Sequence, residues 1–166
     1  MHSVEANGAS IPALGMGTWT LEGHACSDLV ADALALGYRH IDTAASYGNE
    51  EAVGDGLRAS GVARDDIFVT TKVWWTDIAA DDLRRSAEAS LKRLGLDAVD
   101  LLLIHWPNPA VPLKDSIGAL NRAKADGLAR HIGVSNFPTA LLSQALDLSQ
   151  APLVATQVEN HPYLDQ

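Results

Sequence analysis

Short apolar or β-branched runs alternate with helix-like stretches along this chain. Six runs have the length and composition of strands, and helical periodicity fills the intervals between them. The runs are ALGMGTW, YRHIDTA, DIFVTTKVW, VDLLLIHW, ARHIGVSN and LVATQVEN. A strand–helix–strand alternation predicts parallel strands joined by right-handed crossovers. The near-continuous apolar run Leu101 to Ile104 indicates that helices cover the sheet.

The clearest predicted helix runs from Ala79 to Leu94, with Gly95 as its C-terminal cap. Its apolar residues fall on one face at helical spacing, and they are Leu83, Ala87, Leu91 and Leu94. Four weaker helices are predicted over about residues 27–36, 50–60, 116–126 and 139–148. Glycine follows four of the five helices, which is typical of helix ends.

Polar side chains follow the apolar runs at a regular interval. They are Asp42, Lys72, His105, the pair Ser135 and Asn136, and then Gln157, Glu159 and Asn160. Successive positions are about 30 residues apart, the length of one strand–helix unit. Ligands bind at the carboxyl ends of parallel strands in both open sheets and closed barrels. The register therefore predicts a site at that edge.

The residue types at these positions favour acid–base chemistry on a carbonyl group. Tyr47, in the loop after Asp42, is a neutral acid at pH 7 that can donate a proton to a developing alkoxide. Lys72 can supply an ammonium that stabilises the resulting phenolate. A buried lysine needs a counter-ion, which Asp42 can provide, and His105 can hold the carbonyl oxygen by a hydrogen bond.

Composition and charge narrow the class of protein. The 166 residues are 47% hydrophobic and carry a net charge of −9, so we expect one globular domain over residues 1–166. The acidic balance disfavours nucleic acid or an anionic membrane as a partner. The chain has one cysteine, Cys26, and shows neither a signal-peptide pattern nor an apolar run long enough to span a membrane. These features predict a cytoplasmic protein.

Five segments resemble, in order, the successive motifs of the aldo-keto reductases. They are GYRHIDTAASYGNEEAVG, VTTKVW, LLLIHWP, IGVSNF and TQVENHPYL. The resemblance extends over about residues 11–164 and is strongest to the small bacterial aldehyde and diketogluconate reductases. It implies a TIM (β/α)8 barrel that reduces aldehydes and ketones, including α-dicarbonyls or keto sugars, with NADPH.

The resemblance also implies roles for ten residues. The catalytic tetrad, with the tyrosine as general acid, would be Asp42, Tyr47, Lys72 and His105. The residues that grip the nicotinamide carboxamide would be Ser135, Asn136 and Gln157. The aromatic residues that wall the substrate pocket would be Trp19, Trp74 and Trp106.

Several alternatives compete with this interpretation. Ser135 and Asn136 also look like a helix N-cap. Lys72 could form a Schiff base in an aldolase, and some relatives bind NADPH as non-catalytic regulatory subunits. Gly15 to Gly17 lacks the continuation of a dinucleotide fingerprint. His40 and Asp42 could ligate a metal, but no second histidine pair has ligand spacing, so we expect no metal.

Length limits the expected barrel. A TIM barrel typically needs about 250 residues, and the sequence predicts about six of its eight strand–helix units. We expect the last two units, with most of the phosphate-binding residues, to be absent from this sequence. The 166-residue chain should then bind NADPH weakly and show little reductase activity. It could self-associate through open strand edges, whereas a full-length form should be a monomer.

Overall fold

A computed structural model describes residues 2–164 of the chain. It contains a parallel sheet in the order β3-β4-β5-β6-β7-β8. The strands are β3 (Met16–Gly17), β4 (His40–Asp42), β5 (Phe68–Val73), β6 (Val99–Ile104), β7 (Ala129–Ser135) and β8 (Leu153–Gln157). Every neighbouring pair is parallel. The six predicted strands and their parallel arrangement are confirmed.

Helices connect successive strands and cover the outer face of the sheet. They are α1 (Gly23–Ala35), α2 (Glu50–Ala59), α3 (Ala80–Leu94), α4 (Leu113–Ala125) and α5 (Thr139–Leu148). The predicted starts of the first and fourth helices, Ser27 and Ser116, were wrong by about one turn. Gly95 ends α3 in the left-handed region, with φ of 69°, as the sequence predicts.

A short antiparallel hairpin precedes the sheet and was not predicted. It consists of β1 (Ser3–Ala6) and β2 (Ala9–Pro12). Asn7 and Gly8 form the two-residue turn with φ of 48° and 87°, the backbone that an Asn-Gly hairpin turn requires. The Asn7 side chain donates to Leu153 O at 2.9 Å, which fixes the hairpin to β8.

The apolar residues form two clusters on opposite faces of the sheet. The large outer cluster lies between sheet and helices and includes the predicted α3 stripe of Leu83, Ala87, Leu91 and Leu94. The small inner cluster comprises Ala9, Phe68, Leu101, Leu103 and Val154. Because Ala9 belongs to β2, the hairpin covers the inner face of the sheet.

The sheet is strongly curved. Gln157 Nε2 at the end of β8 lies 2.8 Å from Asp42 Oδ2 at the end of β4, although three strands separate β4 from β8 in the sheet. In a flat sheet these strands would be about 19 Å apart, because neighbouring strands lie about 4.8 Å apart. The arc matches six strands of a (β/α)8 barrel, which confirms the predicted fold class.

No helix within residues 2–164 is both long and apolar enough to cross a membrane.

Candidate active site

A cleft of about 920 Å³ opens at the carboxyl ends of the strands. Eight of the ten predicted site residues line this cleft, and they are Trp19, Tyr47, Trp74, His105, Trp106, Ser135, Asn136 and Gln157. The other two, Asp42 and Lys72, contact residues of the cleft wall. The structure thus brings all ten together, as the regular spacing of strand ends requires.

Lys72 is the most confined charge in the site, with 1% of its surface exposed. Its ammonium donates to Asp42 Oδ1, to Thr43 O at 3.0 Å and to Tyr47 OH at 3.3 Å. All three ammonium protons therefore have an acceptor. A buried ion pair persists only when its remaining polar groups are also satisfied, and here they are.

A one-turn 3-10 helix over Ala45–Tyr47 presents the phenol to the cleft. Gly48 follows it with φ of 68°, a conformation that favours glycine. The buried Asn49 side chain fixes the loop from below. It donates to Thr18 O at 2.7 Å and accepts from Thr43 Oγ1 at 2.9 Å. Asn49 lies in the motif that contains Tyr47, but its role was not predicted from the sequence.

His105 follows β6 and packs edge-on against two aromatic rings. Its ring centroid lies 5.6 Å from that of Tyr47 and 5.2 Å from that of Trp74. Burial, reinforced by the Lys72 ammonium and opposed by Asp42, lowers the pKa of His105 to about 4. The imidazole is therefore neutral at pH 7, and one ring nitrogen is a donor while the other is an acceptor.

Ser46 is a site residue that the sequence analysis missed. Its Oγ lies 3.4 Å from His105 Nδ1, and the residue lines the cleft. A hydroxyl that donates to Nδ1 places the imidazole proton on Nε2. No sequence signal distinguishes this serine from an ordinary loop residue, because its partner is 59 positions away.

Three side chains at the ends of β7 and β8 form a connected polar group. Ser135 Oγ donates to Gln157 O at 3.0 Å, and Asn136 Nδ2 donates to His105 O at 3.0 Å. Asn136 adopts a left-handed backbone with φ of 60°. The N-cap interpretation of Ser135 and Asn136 was wrong, since α5 begins at Thr139 with Pro138 as its N-cap residue.

Both amides in this group have a fixed orientation. Asn136 donates to a backbone carbonyl and Gln157 to a carboxylate, and neither partner can donate in return. Within residues 2–164 no donor contacts Asn136 Oδ1 or Gln157 Oε1. The two amide oxygens are thus acceptors available to a ligand in the cleft, which fits a primary carboxamide.

The three tryptophans make the cleft walls largely apolar. Trp74 packs against His105, whereas Trp19 and Trp106 are 72% and 47% exposed. Val158 and Glu159 also line the cleft. Glu159 was predicted at this edge from its position after the last apolar run, and Val158 was not predicted. Exposed indole rings next to convergent polar groups are typical of a small-molecule pocket.

The described residues contain no group of three or more His, Cys, Asp or Glu side chains placed to hold a metal ion. The two candidates from β4 have other partners. His40 Nε2 lies 2.9 Å from Thr70 Oγ1, and Asp42 pairs with Lys72.

Histidine titration should make the chain less stable in mild acid. The pKa values of His40, His105 and His131 are all lowered from 6.5, chiefly by burial. The unfolded chain then binds more protons than the folded chain below about pH 6.5. This contribution to stability is complete above that pH and falls toward pH 4, which urea unfolding at stepped pH values measures.

The matched variant is His105→Gln, which removes the histidine whose pKa is lowered to about 4. We expect the pH dependence between 6.5 and 4 to be shallower in this variant than in the parent chain. Identical slopes would contradict the assignment of a depressed pKa to His105.

The curved parallel sheet and the acid–base cluster at its carboxyl edge place this chain in the class of (β/α)8-barrel proteins with a candidate active site at the carboxyl ends of the strands. The Aldo/keto reductase family model matches residues 13–166. An aldo-keto reductase of Mycobacterium sp. (strain MCS) is 50% identical over 166 residues, covering 99% of this chain and 59% of its own length. Methylglyoxal reductase DkgB of Salmonella typhi is 46% identical over 158 residues, with coverage of 93% and 59%.

Solved structures agree with this assignment. A crystal structure provisionally named as a 2,5-diketo-D-gluconic acid reductase B has a TM-score of 0.97 at 50% identity, covering all of this chain and 59% of its own. The Bombyx mori aldo-keto reductase, solved in complex with NADP, has a TM-score of 0.88 at 37% identity, with coverage of 95% and 58%.

The chain belongs to the aldo/keto reductase family. It spans 56–59% of the length of the curated relatives described as aldo-keto reductases and methylglyoxal reductases. The family resemblance that the sequence motifs predict is confirmed.

Proposed function

We propose that this chain carries the catalytic acid–base site of an NADPH-dependent carbonyl reductase, which converts aldehydes and ketones to alcohols. One observation carries the proposal. The buried Lys72 ammonium donates simultaneously to Asp42 Oδ1 and to Tyr47 OH, and Tyr47 lines the cleft. This arrangement suits a phenol that must give up its proton and become negatively charged.

The four residues of the acid–base cluster have different roles at the carbonyl oxygen of the substrate. Tyr47 donates the proton that the oxygen needs as negative charge develops on it. The Lys72 ammonium, 3.3 Å from the phenol oxygen, stabilises the phenolate that remains. In the tautomer that carries its proton on Nε2, neutral His105 donates a hydrogen bond that orients the same oxygen. Asp42 pairs with the Lys72 ammonium and holds it in place.

The cofactor assignment rests on the amide oxygens. NADPH, when bound, supplies the hydride. Asn136 Oδ1 and Gln157 Oε1 can accept from the NH₂ of a nicotinamide carboxamide, because their own NH₂ groups already have partners. Ser135 lies between them, donating to Gln157 O. The Bombyx mori relative solved with NADP supports the choice of cofactor.

The walls of the cleft favour small carbonyl substrates. Trp19, Trp74 and Trp106 contribute apolar surface, and Tyr47 and His105 are the convergent polar groups. We therefore expect small aldehydes and α-dicarbonyls to be reduced faster than large sugars or steroids. Methylglyoxal, named in the Salmonella relative, is such an α-dicarbonyl.

The surroundings of Lys72 argue against an aldolase. A Schiff base requires a neutral amine that a substrate carbonyl can reach. The Lys72 amine is 1% exposed and donates to three acceptors, one of which is a carboxylate. A role as an NADPH-binding regulatory subunit differs from the proposal only in turnover.

We further propose a cytoplasmic protein that acts without nucleic acid or membrane partners. Its lone cysteine, Cys26, is buried and unpaired, which suits a reducing compartment.

The sheet edges β3 and β8 could pair with another copy of the 166-residue chain. We expect a chimera with a completed barrel to be a monomer, and size-exclusion chromatography with light scattering measures both states.

The function is tested by NADPH oxidation with a panel of carbonyl compounds. The 166-residue chain is assayed alone and in a chimera in which the mycobacterial relative supplies the part of its length that this chain does not span. We expect methylglyoxal and small aldehydes to be turned over with NADPH, faster in the chimera. Borohydride trapping of a substrate on Lys72 would favour the aldolase. Cofactor binding without turnover of any carbonyl would favour the regulatory subunit.

A further inference from the structure

The Gln157 side chain crosses the inner face of the sheet to reach the catalytic carboxylate. Its Nε2 donates to Asp42 Oδ2 at 2.8 Å, and the two residues are 115 positions apart. Asp42 Oδ1 accepts from Lys72 at the same time. Both oxygens of the carboxylate are thus held, one by the ammonium on β5 and the other by the amide on β8.

The backbone of Gln157 is itself well anchored. Its carbonyl oxygen accepts from Ser135 Oγ at 3.0 Å and from Asn136 N at 2.9 Å. Its side chain therefore projects from a fixed point toward Asp42. A rigid support of this kind is what holds a catalytic group within a few tenths of an ångström of its working geometry.

We propose that Gln157 is a positioning residue that holds Asp42 in the orientation that pairs with Lys72, and so links the acid machinery to the cofactor-facing end of β8. The link rests on the proposed function. The link follows from the side-chain amide of Gln157, because its Nε2 donates to Asp42 and its Oε1 is open to a ligand.

The two ends of an amide are electronically coupled. A donor that binds to Oε1 polarises the group and strengthens the hydrogen bond that Nε2 gives to Asp42. Cofactor binding would then draw negative charge of Asp42 toward Gln157 and leave the Lys72 ammonium less neutralised. A less neutralised ammonium stabilises the Tyr47 phenolate more strongly. The site would become a better acid once the cofactor is in place.

A reciprocal exchange of the amide and the carboxylate tests the contact without requiring activity. Gln157→Glu places a second carboxylate against Asp42, and Asp42→Asn removes the charge that faces Lys72. The double variant restores one amide, one carboxylate and the hydrogen bond between them in the opposite order. The two single substitutions together predict an unfolding equilibrium constant for the double variant. We expect the constant measured in urea to be at least about fivefold smaller than that prediction, which means that the double variant is more stable than additivity allows.

The pH dependence of stability gives a signature that packing alone would not produce. In Gln157→Glu the introduced carboxyl faces Asp42, with Lys72, Tyr47, His40 and His105 as the other titratable groups around it. Two adjacent carboxylates raise the pKa of one of them. The variant should lose stability, relative to the parent, as the pH rises from 4 to 7.

Enzyme kinetics separate positioning from cofactor binding. Gln157→Glu keeps an acceptor for the carboxamide, so its Kd for NADPH should stay within about threefold of the parent while kcat falls about tenfold or more. A residue that only binds the cofactor would leave kcat unchanged in this variant, because the carboxylate still accepts from the carboxamide. The matched control is Gln144→Glu, the same substitution at an exposed glutamine of α5, which should change neither constant.

Two results would overturn the proposal. One is strict additivity of Gln157→Glu and Asp42→Asn in unfolding, combined with parent-like pH dependence of the single variant. The other is a parent-like kcat in Gln157→Glu. If a single variant is too unstable to measure, a folded double variant supports the contact and an unfolded one opposes it. A chimera without reductase activity would refute the proposed function, and the unfolding experiments would still decide whether Gln157 holds Asp42.

Discussion

In the chimera with the mycobacterial relative, Tyr47→Phe should reduce carbonyl turnover about 10²–10⁴-fold, which is the usual contribution of a general acid. The phenyl ring retains the edge-on contact with His105, so the cleft should keep its shape. Only the hydroxyl that lies 3.3 Å from Lys72 Nζ is removed. NADPH affinity should remain within about threefold, because the cofactor contacts assigned to the chain come from β7 and β8. Steady-state kinetics with methylglyoxal and fluorescence titration with NADPH measure the two quantities.

Tyr163→Phe is the matched control for this experiment. Tyr163 is 97% exposed and does not line the cleft, so the variant should keep the parent rate. Substantial reductase activity in Tyr47→Phe would remove Tyr47 as the acid.

Lys72→Met should lower turnover to a similar extent and should also destabilise the fold. The thioether side chain is close to lysine in length but leaves Asp42 Oδ1, Thr43 O and the phenol without their donor. Removing one member of a buried ion pair costs about 3–5 kcal/mol. The remaining bond from Gln157 to Asp42 should keep the loss near the lower end of that range. Urea unfolding measures the cost.

The double variant Lys72→Met with Asp42→Asn separates the two effects. Neutralising the stranded carboxylate should recover part of the stability, because an uncompensated buried charge is the main penalty. It should recover no activity, since the phenolate still lacks its ammonium. If Lys72→Met alone retained full turnover, the coupling of Lys72 to Tyr47 would be refuted.

The sequence by itself determined the order of the six parallel strands and five helices and most of the residues at the site edge. A strand buried on both faces is apolar along most of its length, as Leu101 to Ile104 are in β6, and a helix over a sheet must carry an apolar stripe, as Ala80–Leu94 does. Both patterns are local consequences of backbone geometry. An ionisable residue at the end of a run then marks the carboxyl edge, which is how Asp42, Lys72 and His105 could be predicted.

Local patterns failed where the sequence signal was short or ambiguous. The strands Ser3–Ala6 and Ala9–Pro12 have four residues each, too few to establish an alternation, although Asn7 and Gly8 are a hairpin signal. Ser135 and Asn136 look like a cap because they precede a helix. Their side chains instead bond Gln157 O and His105 O, which no local pattern encodes.

Only the tertiary structure decided which polar groups touch. The bond between Gln157 and Asp42 spans 115 residues, and the contact between Ser46 and His105 spans 59. Both depend on how far the sheet curves, and that curvature accumulates from the twist of every strand pair. Composition and periodicity fix which residues reach the carboxyl edge of the sheet. The summed curvature of six strands fixes the distances between them, and therefore the hydrogen bonds on which the proposed chemistry depends.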